Sequence, residues 1–178
     1  MQVDELGLTI YGNPVLRKRA AEVALSELGP DLDRLLKRMF EVMYEEEGVG
    51  LAAPQIGISK RIFVMDVPVE GQENRIGVMI NPEILETKGT QSGSEGCLSI
   101  PGLREDVTRH EWLRVRGLDA KGKTVEFECN DLLARAVQHE VDHLDGVLYV
   151  DRLSPIKRKL LSRKLKEIAS GNASRAEE

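Results

Sequence analysis

Two of the three histidines in the chain, His139 and His143, stand four residues apart in the run HEVDH, with Glu140 directly after the first. On a helix, positions i and i+4 share a face, so both imidazoles reach one metal ion while the carboxylate stands beside it. A carboxylate so placed can take a proton from water held at the ion, which is the chemistry of metal-assisted hydrolysis. The plainer reading, three polar groups on a helix surface, does not account for the spacing.

Catalytic zinc-type centres use three protein ligands and keep one position open. The extended pattern HExxHxxGxxH would supply the third, and Gly146 is in register, but Tyr149 stands where the last histidine belongs. That argues against a metzincin. Asp145 and Asp151 sit at the end of the helix, and Glu167 falls in a basic terminal segment. Cys97 is the better candidate. It lies in EGCLSIPG, whose glycines and proline predict an exposed, bent segment, and its thiolate completes a Cys-His-His set. The competing role for Cys97 is that of a small buried hydrophobe. Cys129 ends an apparent strand without a ligating neighbour and reads as a packed or edge thiol, and His110, beside Trp112, reads as a structural or surface residue.

These groups need elements to hold them. Asn130 or Asp131 can cap a helix through Leu133, Ala136, Val137, Glu140 and Leu144 that stops near Gly146. Upstream, Leu32, Leu35, Leu36, Met39, Phe40 and Met43 recur on one helical stripe, ended by Gly48. GVGLAAPQIG then predicts a shaped loop or irregular strand. Arg61 to Val67 and Ile76 to Ile80 read as strands, with Asn81-Pro82 as a turn. Val107 to Leu118 and Thr124 to Cys129 read as two more, joined through Asp119 to Gly122. Ser154-Pro155 opens a last helix, about 154–170, with Ile156, Leu160, Leu161, Leu165 and Ile168 on its apolar side, and 171–178 is expected to fray. Helix, strands, helix, helix is the order of an α+β fold.

At 178 residues, 41% hydrophobic and 31% charged, the chain is expected to form one domain over 1–178 and is not a disordered one. No apolar run reaches the roughly 18 residues that span a bilayer, the first ten residues lack a leader pattern, and two cysteines cannot make a disulfide framework. Those features predict a cytoplasmic location. The net charge of −5 hides an asymmetry, because Lys157, Arg158, Lys159, Arg163, Lys164 and Lys166 face a single acid, Glu167, in the last helix. Such polarity can orient a molecule on a polyanion, or be no more than a solvated face.

Three segments, GVGLAAPQIG (48–57), EGCLSIPG (95–102) and QHEVDHLDG (138–146), resemble in order the three signature motifs of peptide deformylase. Flanking text, YGNPVLRKRA, NPEILE and VLYVDRLSP, extends the resemblance over roughly residues 6 to 168, and the short stretch between Glu86 and Glu95 is similar to the compact bacterial form. The resemblance implies an α+β fold with mixed or antiparallel sheets around the HExxH helix. It implies Cys97, His139 and His143 as ligands of one divalent ion, Fe(II) physiologically, with Zn(II), Ni(II) or Co(II) possible. Glu140 would be the general acid and base, and Gln55 with the Leu98 N–H the oxyanion hole. Gly50 would pair its backbone with the substrate, and Val49, Leu132 and Ala136 would line a methionine pocket. The implied reaction removes the N-formyl group from the initiator methionine of new polypeptides and releases formate. The implied partners are N-formylmethionyl nascent peptides and, through the basic last helix, the ribosome, with neither membrane nor DNA. Two other readings stand beside it, a small HExxH zinc peptidase and a non-catalytic protein with a structural metal. Tyr149 counts against the first and the lack of a fourth ligand against the second.

Overall fold

The computed structural model describes residues 3–171, so the predicted frayed tail, past Gly171, lies outside the described residues. In chain order the elements are α1 (Pro30–Glu45), β1 (Gly50–Ala52), β2 (Ile62–Val67), β3 (Arg75–Lys88), β4 (Gln91–Cys97) and β5 (Ile100–Arg109), followed by β6 (Trp112–Leu118), β7 (Thr124–Asn130), α2 (Asp131–Leu144) and α3 (Pro155–Ala169). The order β1-β2-β3-β6-β7 makes one sheet, and β4 with β5 makes a second. Every ladder between these strands is antiparallel, within the expected α+β class.

The strand β2 is apolar on both faces because each face meets a helix. Phe63, Met65 and Val67 pack with Met79, Leu113 and Val115 against Ala134, Val137 and Leu144 of α2. Ile62 and Val64, one residue out of phase, pack with Leu51 and Ile80 against the α1 stripe of Leu32, Leu35, Leu36, Met39 and Met43. A third cluster joins Leu16, Ile100, Leu103, Val107 and Tyr149 to Leu165 and Ile168 of α3. The helix α2 has the large sheet on one side, and its Arg135 and His139 reach Glu95 and Val107 of the β4–β5 hairpin.

Several local expectations are corrected. Asn81-Pro82 is a bulge inside β3, where pairing with β6 shifts between Ile80 and Glu83 and Asn81 takes a φ of 50°. The proline costs no ladder bond at a bulge, and the Asn81 side chain bonds both backbone groups of Val23 at 2.9 Å. The run Val107 to Leu118 is two strands, broken at His110-Glu111 where the chain leaves the hairpin for the large sheet. β4, where no strand was expected, is paired from Gln91 to Cys97 although QSGSEGC lacks the β-branched residues that mark strands. EGCLSIPG is bent as expected but only partly exposed: Glu95, Ser99 and Ile100 are buried around a two-residue turn, Leu98-Ser99, while Pro101 and Gly102 are exposed. On α3, Ser154 caps as expected, its Oγ accepting from the Lys157 N–H at 3.3 Å. The apolar side is shorter than expected, because only the later turns meet the third cluster and Ile156 and Leu160 stay 75% and 78% exposed. Asn130 holds the cap position of α2 without a side-chain capping bond.

Candidate metal centre and active-site cleft

One face of α2 carries His139, Glu140 and His143 toward the end of β4, where Cys97 stands. The Nε2 atoms of the two histidines are 3.1 Å apart, and Cys97 Sγ is 3.2 Å from His143 Nε2. All three ligand atoms lie within 4.8 Å of one another, and among the described residues they form the cluster suited to a metal ion, with no fourth side chain. Bonds of about 2.0–2.3 Å in a tetrahedral site separate ligand atoms by about 3.3–3.6 Å, so this donor set fits a small divalent ion. His139 Nδ1 is 2.6 Å from Glu95 Oε1, which fixes the ring and leaves Nε2 for the ion.

The short 3₁₀ turn Ala53–Ile56 brings in Gln55. Its Oε1 accepts from the Ala52 N–H at 2.8 Å, so Nε2 is the atom turned toward the centre, 3.6 Å from Cys97 Sγ and 3.3 Å from Ser99 Oγ. The amide orientation is thereby set before any ligand arrives. Tyr149 is no ligand. Its ring stacks on His139 at 6.3 Å between centroids, and its hydroxyl donates to the Leu103 carbonyl at 3.0 Å. Asp145 and Asp151 are engaged elsewhere, by Arg19 and Arg61 and by Arg17 respectively.

A cleft of about 460 Å³ opens over this group, and Val49, Gly50, Leu98, Leu132 and Ala136 all line it. β1 is the edge strand of its sheet, and its Gly50 lines the cleft. A larger cleft, about 640 Å³, lies at the start of α1, but its acids Glu27 and Asp31 are paired with Lys60 and Arg34 and it contains no histidine or cysteine. The chemistry belongs to the smaller one.

The polypeptide deformylase family model matches residues 6–159. The chain belongs to that family. A peptide deformylase of Alkalilimnicola ehrlichii is 49% identical over 163 residues, covering 92% of this chain and 90% of the relative. One of Thermodesulfovibrio yellowstonii is 47% identical over 156 residues, 88% and 93% of the two chains. The crystal structure of a peptide deformylase from Legionella pneumophila superposes with a TM-score of 0.82 at 42% identity, over 91% of this chain and 94% of that one.

The deformylase cleft has an electrostatic frame that the motifs alone did not reveal. Glu95, 5% exposed, accepts from Arg109 Nε at 3.1 Å and Arg135 Nη1 at 2.9 Å as well as facing His139. Arg109 also pairs with Asp142, which Arg152 clamps from the other side. Burial alone would raise the Glu95 pKa, and the bonds from His139 and Arg109 overcome it and hold the carboxyl well below its usual range. Burial also opposes charge on both histidines; bonds to Cys97 and Glu95 outweigh it for His139, whereas His143 is pushed down further by the charge of His139. The signal for this frame was present as acids placed two before Cys97 and one before His143, within otherwise interior segments.

Glu140 is 4% exposed and its Oε2 has no hydrogen-bond partner among the described residues. Burial pushes its pKa up to about 7, against the opposing charge of His139. A carboxyl with a pKa near 7 is of the kind suited to acid and base work at neutral pH. Cys129 is a packed thiol as expected, and His110 is exposed, its backbone N–H donating to Gln138 at 3.0 Å and its ring Nδ1 lying 3.4 Å from the Gly89 carbonyl oxygen.

Proposed function

We propose that this chain, as one catalytic domain, hydrolyses the N-formyl group of the methionine that begins new polypeptides, giving formate and a free amine. The observation that carries this reading is the convergence of Cys97, His139 and His143 beside Glu140 and Gln55 at one cleft. Cys97 Sγ and the Nε2 atoms of His139 and His143 would hold one divalent ion, which when bound makes water nucleophilic near neutral pH and polarises the formyl oxygen. Glu140 takes the proton of the attacking water and returns it to the departing nitrogen as the C–N bond breaks. Gln55 Nε2 and the Leu98 N–H donate to the formyl oxygen, where negative charge develops. The edge strand β1, at Gly50, receives the substrate backbone as an added strand, and Val49, Leu132 and Ala136 give the methionine side chain an apolar wall.

A thiolate and two imidazoles accept Fe(II), Zn(II), Co(II) or Ni(II), and Fe(II) is our assignment for the cell, on the family resemblance. The small formyl hydrogen gives the basis for excluding acetylated chains. No helix among the described residues is long and apolar enough to cross a membrane. The cytoplasm, where new chains emerge, is the compartment this substrate implies. The exposed Arg158, Lys159, Arg163, Lys164 and Lys166 of α3 support a contact with the ribosome.

The test is formate release from a short formyl-methionyl peptide by protein purified without oxygen and loaded with Fe(II), beside a chelator-treated control and the acetyl peptide. Metal-dependent release from the formyl substrate alone is expected. No release from protein holding one metal per chain would overturn the reading. For the ribosome, glutamate at Lys159, Arg163 and Lys166 together should abolish salt-sensitive co-sedimentation, and undiminished co-sedimentation would reject α3 as the anchor.

A further inference from the structure

We propose that residues 9–11 act as a strap that fixes the spacing between the two arms of the oxyanion hole, with Thr9 and Tyr11 as positioning residues working through their backbone N–H groups. This rests on the roles given above to Gln55 and the Leu98 N–H. The two arms come from different sheets. Gln55 sits on the turn after β1 in the five-stranded sheet, and Leu98 sits on the turn between β4 and β5. Among the described residues no backbone hydrogen bond joins these turns directly. The strap bonds both: the Thr9 N–H donates to the Gln55 carbonyl at 2.6 Å, and the Tyr11 N–H donates to the Ser99 carbonyl at 2.8 Å.

Donors two residues apart are separated by at most about 7 Å, so one short segment spans both acceptors as a ruler. Gln55 and Ser99 are buried, which leaves neither turn free to slide through solvent. The strap is itself seated. The Asn13 N–H closes a turn onto Ile10 at 3.2 Å with Gly12 at a φ of 102°, and a Cβ on Gly12 would stand 2.8 Å from Ala169 Cβ of α3. Beyond it the Ala20 N–H donates to the Leu144 carbonyl at 2.8 Å, at the end of α2. Oxyanion donors work by being in place beforehand, so loosening the ruler lowers turnover with no metal ligand substituted.

The turn Ile10–Asn13 gives a clean test. With positive φ at its third residue it matches a type II turn, whose second position, here Tyr11, favours proline. Tyr11→Pro removes the N–H while keeping the turn, and Tyr11→Ala removes the ring that lies under Arg17 while keeping the N–H. In the metal-loaded enzyme, kcat of Tyr11→Pro should fall about tenfold below that of Tyr11→Ala, because a displaced donor costs less than the roughly 10²–10³ of a deleted one. KM and metal content should match. Amide exchange over 94–103 should be faster in the proline variant, with α2 unchanged. Equal kcat and equal exchange in the pair would overturn the strap. The pair Thr9→Pro and Thr9→Ala reads the other arm, with exchange over 52–57, should Tyr11→Pro fail to fold. If wild-type protein releases no formate, the catalytic reading falls, and the exchange difference still decides whether the strap holds the turns.

Discussion

Gly50 stands so close to Glu140 that a single methyl group there should disable the enzyme without unseating its metal. A Cβ built on Gly50 would lie 2.5 Å from Glu140 Oε1, 3.0 Å from Cδ and 3.1 Å from Cγ. Ordinary contact begins at 3.4 Å, so the carboxylate must retreat by about 0.9 Å from its observed position. Gly50 has no positive φ, so the backbone itself accepts alanine. The strain of overpacking is about 1–3 kcal/mol, and misplacing a reacting group by about 1 Å costs about 10²-fold in rate. We expect Gly50→Ala to fold, to bind one metal per chain and to lose about 10²-fold in kcat for formate release. Gly77→Ala, whose Cβ meets only Met65 Cε at 3.4 Å, serves as the control and should keep its rate. A Gly50→Ala enzyme with wild-type kcat would refute the argument that Glu140 must occupy its observed position.

Glu140→Gln should keep its metal and lose at least about 10²-fold in rate, and retained turnover in a metal-loaded variant would remove Glu140 from its role as acid and base. Glu95→Gln should weaken metal binding about 10- to 100-fold in competition with a chelator, because the carboxylate that orients His139 is gone. Because the folded Glu95 pKa is depressed, its stabilisation is present above the unfolded value of about 4.3 and is lost as pH falls below it. Acid titration of stability should therefore be shallower in the variant, and an unchanged slope would count against the network. Burial pushes the Cys129 thiol up from 9.0 to about 12, so the neutral form is favoured in the fold and its contribution holds below about pH 9 and is lost toward 12. Alkylation of Cys129 at pH 9 should be far slower in folded than in unfolded protein, read by peptide mass spectrometry, and equal rates would contradict its burial.

The parts of this molecule that repeat along one element were legible in the sequence. The α1 stripe and the HEVDH spacing are each one helix reporting on itself, and the three motifs add their order. What depends on two distant elements was not legible. β4 takes its strand character from pairing with β5, not from its own glycines and serines. The break at His110-Glu111 exists because β5 and β6 belong to different sheets. Ile156 and Leu160 satisfy helical periodicity yet point outward, since periodicity marks a face and says nothing of whether a partner reaches that far. The same limit hid the site's frame. Glu95, Arg109, Arg135 and Asp142 are ordinary charges one at a time and become a buried network only when α2 and the hairpin meet.

The seat of the strap also bears on how the enzyme comes into being. Arg17 finds its acid, Asp151, 134 residues later, and Gly12 lies against Ala169. A chain made from its N-terminus onward holds residues 9–20 outside the tunnel before those partners exist. Contacts of such sequence separation form late, after the loops between them have closed. The strap's own acceptors, on Gln55 and Ser99, are thus made well before the partners that complete its seat. Its seat is complete only once the chain has been released far enough for α3 to arrive.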